Sequence, residues 1–170
     1  MPSAADRKVN EGNALYEKGE YRRARTRYHE AIALDPHNAK AYYALGVVAY
    51  TQGSYNSAVI NFRRAIGLDG RDPDFWFHLG NAYAQIGQYR QAIDSYEHVL
   101  ALNRLYPEIH YTKGLAHYNL RQWDDALREL ESYLRISPGG DRHQTAYQLI
   151  NTLKKGGIRP SEEPEPSDKG

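Results

Sequence analysis

The sequence predicts an all-α fold, a solenoid of four helix-turn-helix units closed by a C-terminal capping helix, and three observations carry that prediction. Glycines stand at Gly12, Gly46, Gly80 and Gly114, and the steps 46−12, 80−46 and 114−80 are each 34 residues. An alanine follows each of them by twelve residues, at Ala24, Ala58, Ala92 and Ala126. Around these columns the apolar residues keep helical spacing, as in Ala24, Tyr28, Ala31 and Ile32, at i, i+4, i+7 and i+8. Two interlocked columns with one period define a repeat array. One helix pair cannot bury its apolar faces alone, and stacked neighbours complete a continuous core.

The four units are expected at 5–38, 39–72, 73–106 and 107–140. In the first, Val9, Leu15 and Tyr16 give the apolar positions of helix one, and Gly19 suits a left-handed exit. Tyr21 opens helix two, and Leu34-Asp35-Pro36-His37-Asn38 stops it, because proline cannot continue a helix interior. The second repeats the design with Tyr42, Leu45, Gly46, a turn at Gly53, Tyr55, Ala58, Phe62 and Ala65. The third carries Trp76, Leu79, Gly80, Tyr83, Gly87, Tyr89, Ala92, Tyr96 and Val99. The fourth carries Gly114, Trp123, Ala126, Leu130 and Tyr133, and breaks at Ser137-Pro138-Gly139-Gly140. Pro73 and Pro107 fit the first turn of a helix, where a missing N–H loses no intrahelical partner. Each glycine is expected to face its alanine on the antiparallel helix, so that the backbones approach closely.

A capping helix is expected over 141–155, with Asp141 as N-cap and Lys154-Lys155 complementing the dipole at its end. Ala146, Leu149, Ile150 and Leu153 would face the fourth unit. Together 5–155 form one domain. The segment 156–170, rich in Pro, Glu and Ser, is expected to be a disordered tail.

Composition narrows the function. Lys and Arg number 22 against 21 Asp and Glu, so no global field draws the chain to nucleic acid or an anionic membrane. The absence of cysteine excludes disulfides and thiolate chemistry. Met1-Pro2-Ser3-Ala4-Ala5-Asp6-Arg7-Lys8 has no apolar run of the signal-peptide kind. No apolar stretch approaches the roughly 20 residues that span a bilayer. The expectation is a cytoplasmic protein with no membrane insertion. Tyrosines number 15 against 3 Phe and 2 Trp, and a ring with a polar tip suits half-wet contact surfaces.

The units resemble tetratricopeptide repeats, whose pattern is W-x2-L-G-x2-Y, then A-x3-F, then P. The third unit matches best, with Trp76, Leu79, Gly80, Tyr83, Ala92 and Tyr96 in phase, and the likeness covers 5–140. Departures are Glu11 and Lys113 for leucine, Arg104 for proline and Arg121 for the turn glycine. The resemblance implies a right-handed superhelix and a non-enzymatic protein-interaction scaffold or adaptor that holds an extended or helical peptide in its concave groove. The alternative is a self-assembling, homo-oligomeric scaffold.

Repeat phase indicates which first-helix residues line such a groove. One column is Val9, Tyr43, Phe77 and Tyr111, and another is Tyr16, Tyr50, Ala84 and Tyr118. Between them lie Asn13, Val47, Asn81 and Leu115, with His78 and Thr112 nearby. The candidate peptide-binding residues are therefore Asn13, Tyr16, Tyr43, Val47, Tyr50, Phe77, His78, Asn81, Tyr111, Thr112, Leu115 and Tyr118. Aromatics give contact area at little entropic cost, and asparagine both donates and accepts. Packing between successive first helices is the competing account of the same aromatics.

Some members of the family clamp an acidic C-terminus with lysine, asparagine and arginine. Asn13 fits that pattern, but Val9 and Ala44 replace a lysine and an asparagine, and Asp74 and His78 replace a lysine and an arginine. A carboxylate-clamp chaperone partner is therefore not expected. His29, His37, His78, His98, His110, His117 and His143 are scattered without ligand spacing, so neither a catalytic site, a metal nor any other cofactor is expected. They read as isolated surface or groove histidines. Arg22, Arg23, Arg25 and Arg27, with Arg63-Arg64, read as a solvated convex face rather than a nucleic-acid surface, and Glu129-Glu131 likewise.

Overall fold

The computed structural model describes residues 1–103 and 106–156. Arg104 and the tail residues 157–170 lie outside the described residues. Among the described residues there are nine α-helices and no strand. They are α1 (Ala4–Glu17), α2 (Tyr21–Leu34), α3 (Ala39–Thr51), α4 (Tyr55–Leu68), α5 (Pro73–Gln85), α6 (Tyr89–Leu102), α7 (Pro107–Asn119), α8 (Trp123–Ile136) and α9 (His143–Lys154). They fall into two compact units, residues 1–109 and residues 110 onward.

Side-chain caps start α1, α3 and α5, whereas α2, α4, α6 and α8 begin without one. Ser3 Oγ accepts from Asp6 N at 3.0 Å and Asp6 Oδ2 accepts from Ser3 N at 3.2 Å, a reciprocal capping box for α1. Asn38 Oδ1 accepts from Ala41 N at 3.0 Å and caps α3. Asp72 Oδ1 accepts from Asp74 N at 2.9 Å beside Pro73, at the first position of α5. The cap expected at Asp141 does not form, because α9 begins at His143 and Arg142 precedes it with no side-chain cap.

The tight turns inside the repeats reuse one device. Glu20 N donates to Leu15 O at 2.9 Å, and Ser54, Gln88 and Gln122 donate equivalently to Ala49, Tyr83 and His117. This closure needs one left-handed residue, supplied by Gly19, Gly53 and Gly87 at φ 74–76°. In the fourth repeat Arg121 occupies it at φ 59°, so the missing glycine is a strained residue rather than a different turn.

Each second helix buries one stripe. Ala24, Tyr28 and Ala31 of α2, Ala58, Phe62 and Ala65 of α4, Ala92, Tyr96 and Val99 of α6, and Ala126, Leu130 and Tyr133 of α8 are all at most 2% exposed. Burial of each large member contributes roughly 1.5–3 kcal/mol. The periodic glycine faces the large residue of this stripe rather than its alanine. A Cβ on Gly46 would lie 2.5 Å from Phe62 Cε1, one on Gly80 2.5 Å from Tyr96 Cε1, and one on Gly114 2.8 Å from Leu130 Cγ. The alanine lies one turn earlier, and the glycine exists to seat a ring or a leucine.

The two leucine departures have a shared explanation. Glu11 pairs with Arg27 Nε at 3.3 Å, and Lys113 Nζ pairs with Glu129 Oε1 at 2.8 Å. Both pairs join residues sixteen apart, so repeats one and four place an ion pair of opposite polarity where repeats two and three have Leu45 with Asn61 and Leu79 with Ser95. Glu129 is thus largely buried, with a side chain 16% exposed, and is not part of a solvated face. His110 Nδ1 lies 2.7 Å from its other oxygen. Burial pushes the Glu129 carboxyl up, but the hydrogen bonds from Lys113 and His110 outweigh it and hold the group below the usual carboxylate range.

Candidate peptide-binding groove

In unit 1 the first helices α1, α3 and α5 stand side by side and line an open cavity of about 540 Å³. Helix α1 contributes Val9, Asn10, Asn13, Tyr16 and Glu17, and α3 contributes Lys40, Tyr43, Ala44 and Val47. Helix α5 and its cap add Phe75, His78 and Asp72, and Tyr28 reaches in from α2. The volume falls within the range that takes ligand groups, about 300–1,000 Å³.

The floor is aromatic and internally hydrogen-bonded. Tyr43 stacks on Phe75 with centroids 4.7 Å apart and meets His78 edge-on at 5.3 Å and Phe62 at 5.7 Å. Tyr28 Oη donates to Asn13 Oδ1 at 2.9 Å. His78 Nδ1 lies 2.9 Å from Asp74 O and 3.1 Å from Tyr43 Oη. A carbonyl only accepts, so Nδ1 is assigned as a nitrogen that carries hydrogen and donates. Burial, reinforced by Asp74 and Asp72, drives the Tyr43 hydroxyl well above the ordinary tyrosine range. Burial pushes Tyr28 up to about 12. Both phenols stay protonated and able to donate at neutral pH.

Of the residues singled out in the sequence, Asn13, Tyr16, Tyr43, Val47 and His78 come together around this cavity. Three others lie elsewhere in unit 1. Tyr50 is half-buried and meets Tyr55 edge-on at 5.2 Å. Phe77 packs between Tyr106 at 5.5 Å and Tyr96 at 6.3 Å. Asn81 Oδ1 accepts from Tyr96 Oη at 2.8 Å, repeating the Asn13–Tyr28 bond two repeats on.

The remaining four belong to unit 2. Tyr111 is 7% exposed and sits in a core with Leu130, Tyr133, Ala146 and Ile150, its ring covered by the Arg142 guanidinium at 4.9 Å. Leu115 packs against that core, Tyr118 meets Trp123 edge-on at 5.3 Å, and Thr112 is half-buried.

Asn10, Glu17, Tyr28, Lys40, Asp72 and Phe75 were not anticipated as groove residues, and Ala44 was considered only as a clamp position. Asn10 and Ala44 share the 34-residue register of His78, so that signal was present, whereas Phe75 has no aromatic counterpart at Arg7, Ala41 or Ile109.

Several histidines are engaged rather than isolated. His98 stacks on Trp76 with centroids 4.0 Å apart, and His117 Nδ1 lies 2.7 Å from Gln122 Oε1. On the opposite side of α1 and α2, Arg27 binds both oxygens of Glu30 at 2.9 and 2.8 Å, and Lys8 joins Glu11 and Glu30 at 3.1 and 3.2 Å. Among the described residues no group of His, Asp and Glu is arranged to hold a metal ion. No described helix is long and apolar enough to cross a membrane.

A fold of consecutive helical hairpins with a 34-residue period, its glycines seating the rings of the paired helix, defines a helical repeat protein. The family model of the TPR repeat matches residues 12–53, 48–87 and 80–120, more than half of the chain, and the chain belongs to the tetratricopeptide repeat family. That family is in general a non-enzymatic protein-interaction fold.

Among solved structures, the chain is similar to two crystal structures of MamA. One is 28% identical, covers 86% of this chain and 84% of MamA, and has a TM-score of 0.79. The other is 27% identical, covers 92% and 84%, and has a TM-score of 0.83. It also resembles YrrB, described as a TPR protein with an unusual peptide-binding site, at 24% identity over 91% of this chain and 78% of YrrB, with a TM-score of 0.79. That last likeness is one of fold. No curated protein sequence matches the chain at a significant level.

Proposed function

We propose that the chain is a non-enzymatic scaffold that captures a peptide segment of a protein partner in the groove of α1, α3 and α5. The observation that carries this reading is the cavity itself. It is concave, aromatic at its floor, and edged by the side-chain amides of Asn10 and Asn13. Rigid rings supply contact area at low entropic cost, and amides that donate and accept suit an extended backbone. The ring-to-ring contacts and the Tyr28–Asn13 bond hold the floor in place before any ligand arrives, which lowers the cost of binding.

The test uses substitutions that the repeats themselves carry. Ala84 stands in the register of Tyr16, and Asn13 and Asn81 stand in that of Val47. Tyr16→Ala combined with Val47→Asn therefore strips the cavity wall with side chains that this fold already accommodates. A partner isolated with the intact chain should bind the double variant at least about tenfold more weakly, in line with loss of an interface anchor. Undiminished binding by a variant with unchanged helicity would rule the groove out.

A further inference from the structure

We infer that the unit 1 groove recognises a basic peptide, taking an arginine side chain into the cavity with apolar residues on either side of it. This rests on the groove reading above and goes further by naming the chemistry of the occupant.

The charge around the cavity favours a cation. The cavity wall carries the carboxylates of Glu17 and Asp72 against the single ammonium of Lys40. Along the adjoining first-turn register, Asp6 and Asp74 flank Lys40 at 34-residue spacing, so carboxylates predominate at that edge also. Glu17 ends α1, where the backbone dipole is negative and adds to its own charge. Asp72 caps α5, so part of its charge is offset by that helix. Asp74 and Asp72 act on the Tyr43 hydroxyl in the sense of a negative field at the floor.

The rings favour one as well. Tyr16 and Tyr43 present half-buried aromatic surface to the cavity, backed by the buried rings of Tyr28 and Phe75, and ring faces attract cations, most strongly where water is excluded. A guanidinium is flat, stacks on such faces and sheds water more readily than an ammonium.

Hydrogen-bond supply points the same way. A guanidinium brings five donors and no acceptor. Facing it are the carboxylates of Glu17 and Asp72 and the side-chain oxygens of Asn10 and Asn13. Asn13 Oδ1 already accepts one bond from Tyr28 and keeps a second lone pair. An anionic ligand would meet two carboxylates and find one cation. A purely apolar ligand would desolvate the Glu17 carboxylate, and the Asp72 oxygen that the cap leaves over, without supplying a donor to either.

The test is calorimetric titration of the full chain with three capped heptapeptides. The probe is acetyl-Ser-Ala-Leu-Arg-Leu-Ala-Ser-amide, and its counterparts carry norleucine or glutamate in place of arginine. The arginine peptide should bind about tenfold more tightly than either counterpart, the size of one desolvated cation–π contact with a carboxylate nearby. That preference should shrink as salt is raised, and should largely vanish in Glu17→Gln combined with Asp72→Asn, where asparagine retains the cap.

Equal or tighter binding of the norleucine or glutamate peptide, still lost in Tyr16→Ala with Val47→Asn, would overturn the basic-peptide inference and leave the groove reading standing. Failure of all three peptides to bind the wild-type chain would overturn both.

Discussion

Replacing Gly80 by alanine should destabilise the chain, against the ordinary helical preference for alanine. The added Cβ would lie 2.5 Å from Tyr96 Cε1, 2.7 Å from Cδ1 and 3.0 Å from Cζ. Carbon atoms in comfortable contact sit at about 3.5–4.0 Å, so one ring edge must retreat by roughly an ångström. Tyr96 has nowhere to go. It is 1% exposed, its hydroxyl is tied to Asn81 at 2.8 Å, and Phe77 packs 6.3 Å away.

Overpacking of this kind costs about 3 kcal/mol, and the gain in helix propensity returns about 1 kcal/mol. The net loss of about 2 kcal/mol corresponds to a melting temperature lowered by about 4–8 °C in a chain of this size. Gly67→Ala is the control. Gly67 lies in α4 with nothing within 4 Å of an added Cβ, so the same substitution there should stabilise by about 0.5 kcal/mol. Both are read by thermal melts followed by far-ultraviolet circular dichroism. If Gly80→Ala melts at or above wild type, or if the two variants shift in the same direction, the seating of the ring in the glycine notch is not what holds the repeat together.

Arg121→Gly should raise stability by about 1 kcal/mol in the same assay, since Arg121 holds φ 59° where the other three turns use glycine. Asn38→Ala should cost about 1–2 kcal/mol, because Asn38 both caps α3 and donates to Asp6 Oδ1 at 3.1 Å. In unit 2, Glu129→Ser should cost about 3 kcal/mol by removing the carboxylate that faces buried Lys113, while Lys113→Leu with Glu129→Ser, the pair found in repeat three, should recover most of that loss in chemical denaturation. The Glu129 carboxyl titrates below its ordinary value in the folded chain, so its stabilising contribution is complete above the unfolded value of about 4.3 and is lost as pH falls through the folded one. The stability advantage of wild type over Glu129→Gln should therefore close on acidification below about pH 4.3, as read from melting temperatures across an acid series.

The helices and their turns were legible because the 34-residue columns state the packing directly. Gly12, Gly46, Gly80 and Gly114 mark the notch, but the partner was misread as the alanine because both columns share one period. The residues sixteen positions on, Tyr28, Phe62, Tyr96 and Leu130, differ in chemistry and so stand out less as a column. The charge-swapped pairs Glu11–Arg27 and Lys113–Glu129 were equally present in register, and only the distances reveal them as partners.

Register also gave the direction of Tyr43 and Tyr111 but not their depth. Tyr111 faces Tyr133 and lies beneath Arg142, whereas Tyr43 borders an open cavity, and no property of the repeat itself distinguishes the two. Phe75 was missed for the complementary reason. It has no aromatic counterpart in the other repeats, and its place beside Tyr43 is a tertiary fact.

Ligand contact is assigned to the α1, α3 and α5 face of unit 1. Titration of the isotopically labelled full chain with the arginine heptapeptide, followed by amide chemical shifts, checks that assignment residue by residue. Shifts should concentrate at Val9 to Glu17, Lys40 to Val47 and Asp72 to His78, with α4 and α6 little changed apart from residues directly behind the cavity. Shifts centred on exposed positions of α4 and α6, or no shifts at all, would contradict it.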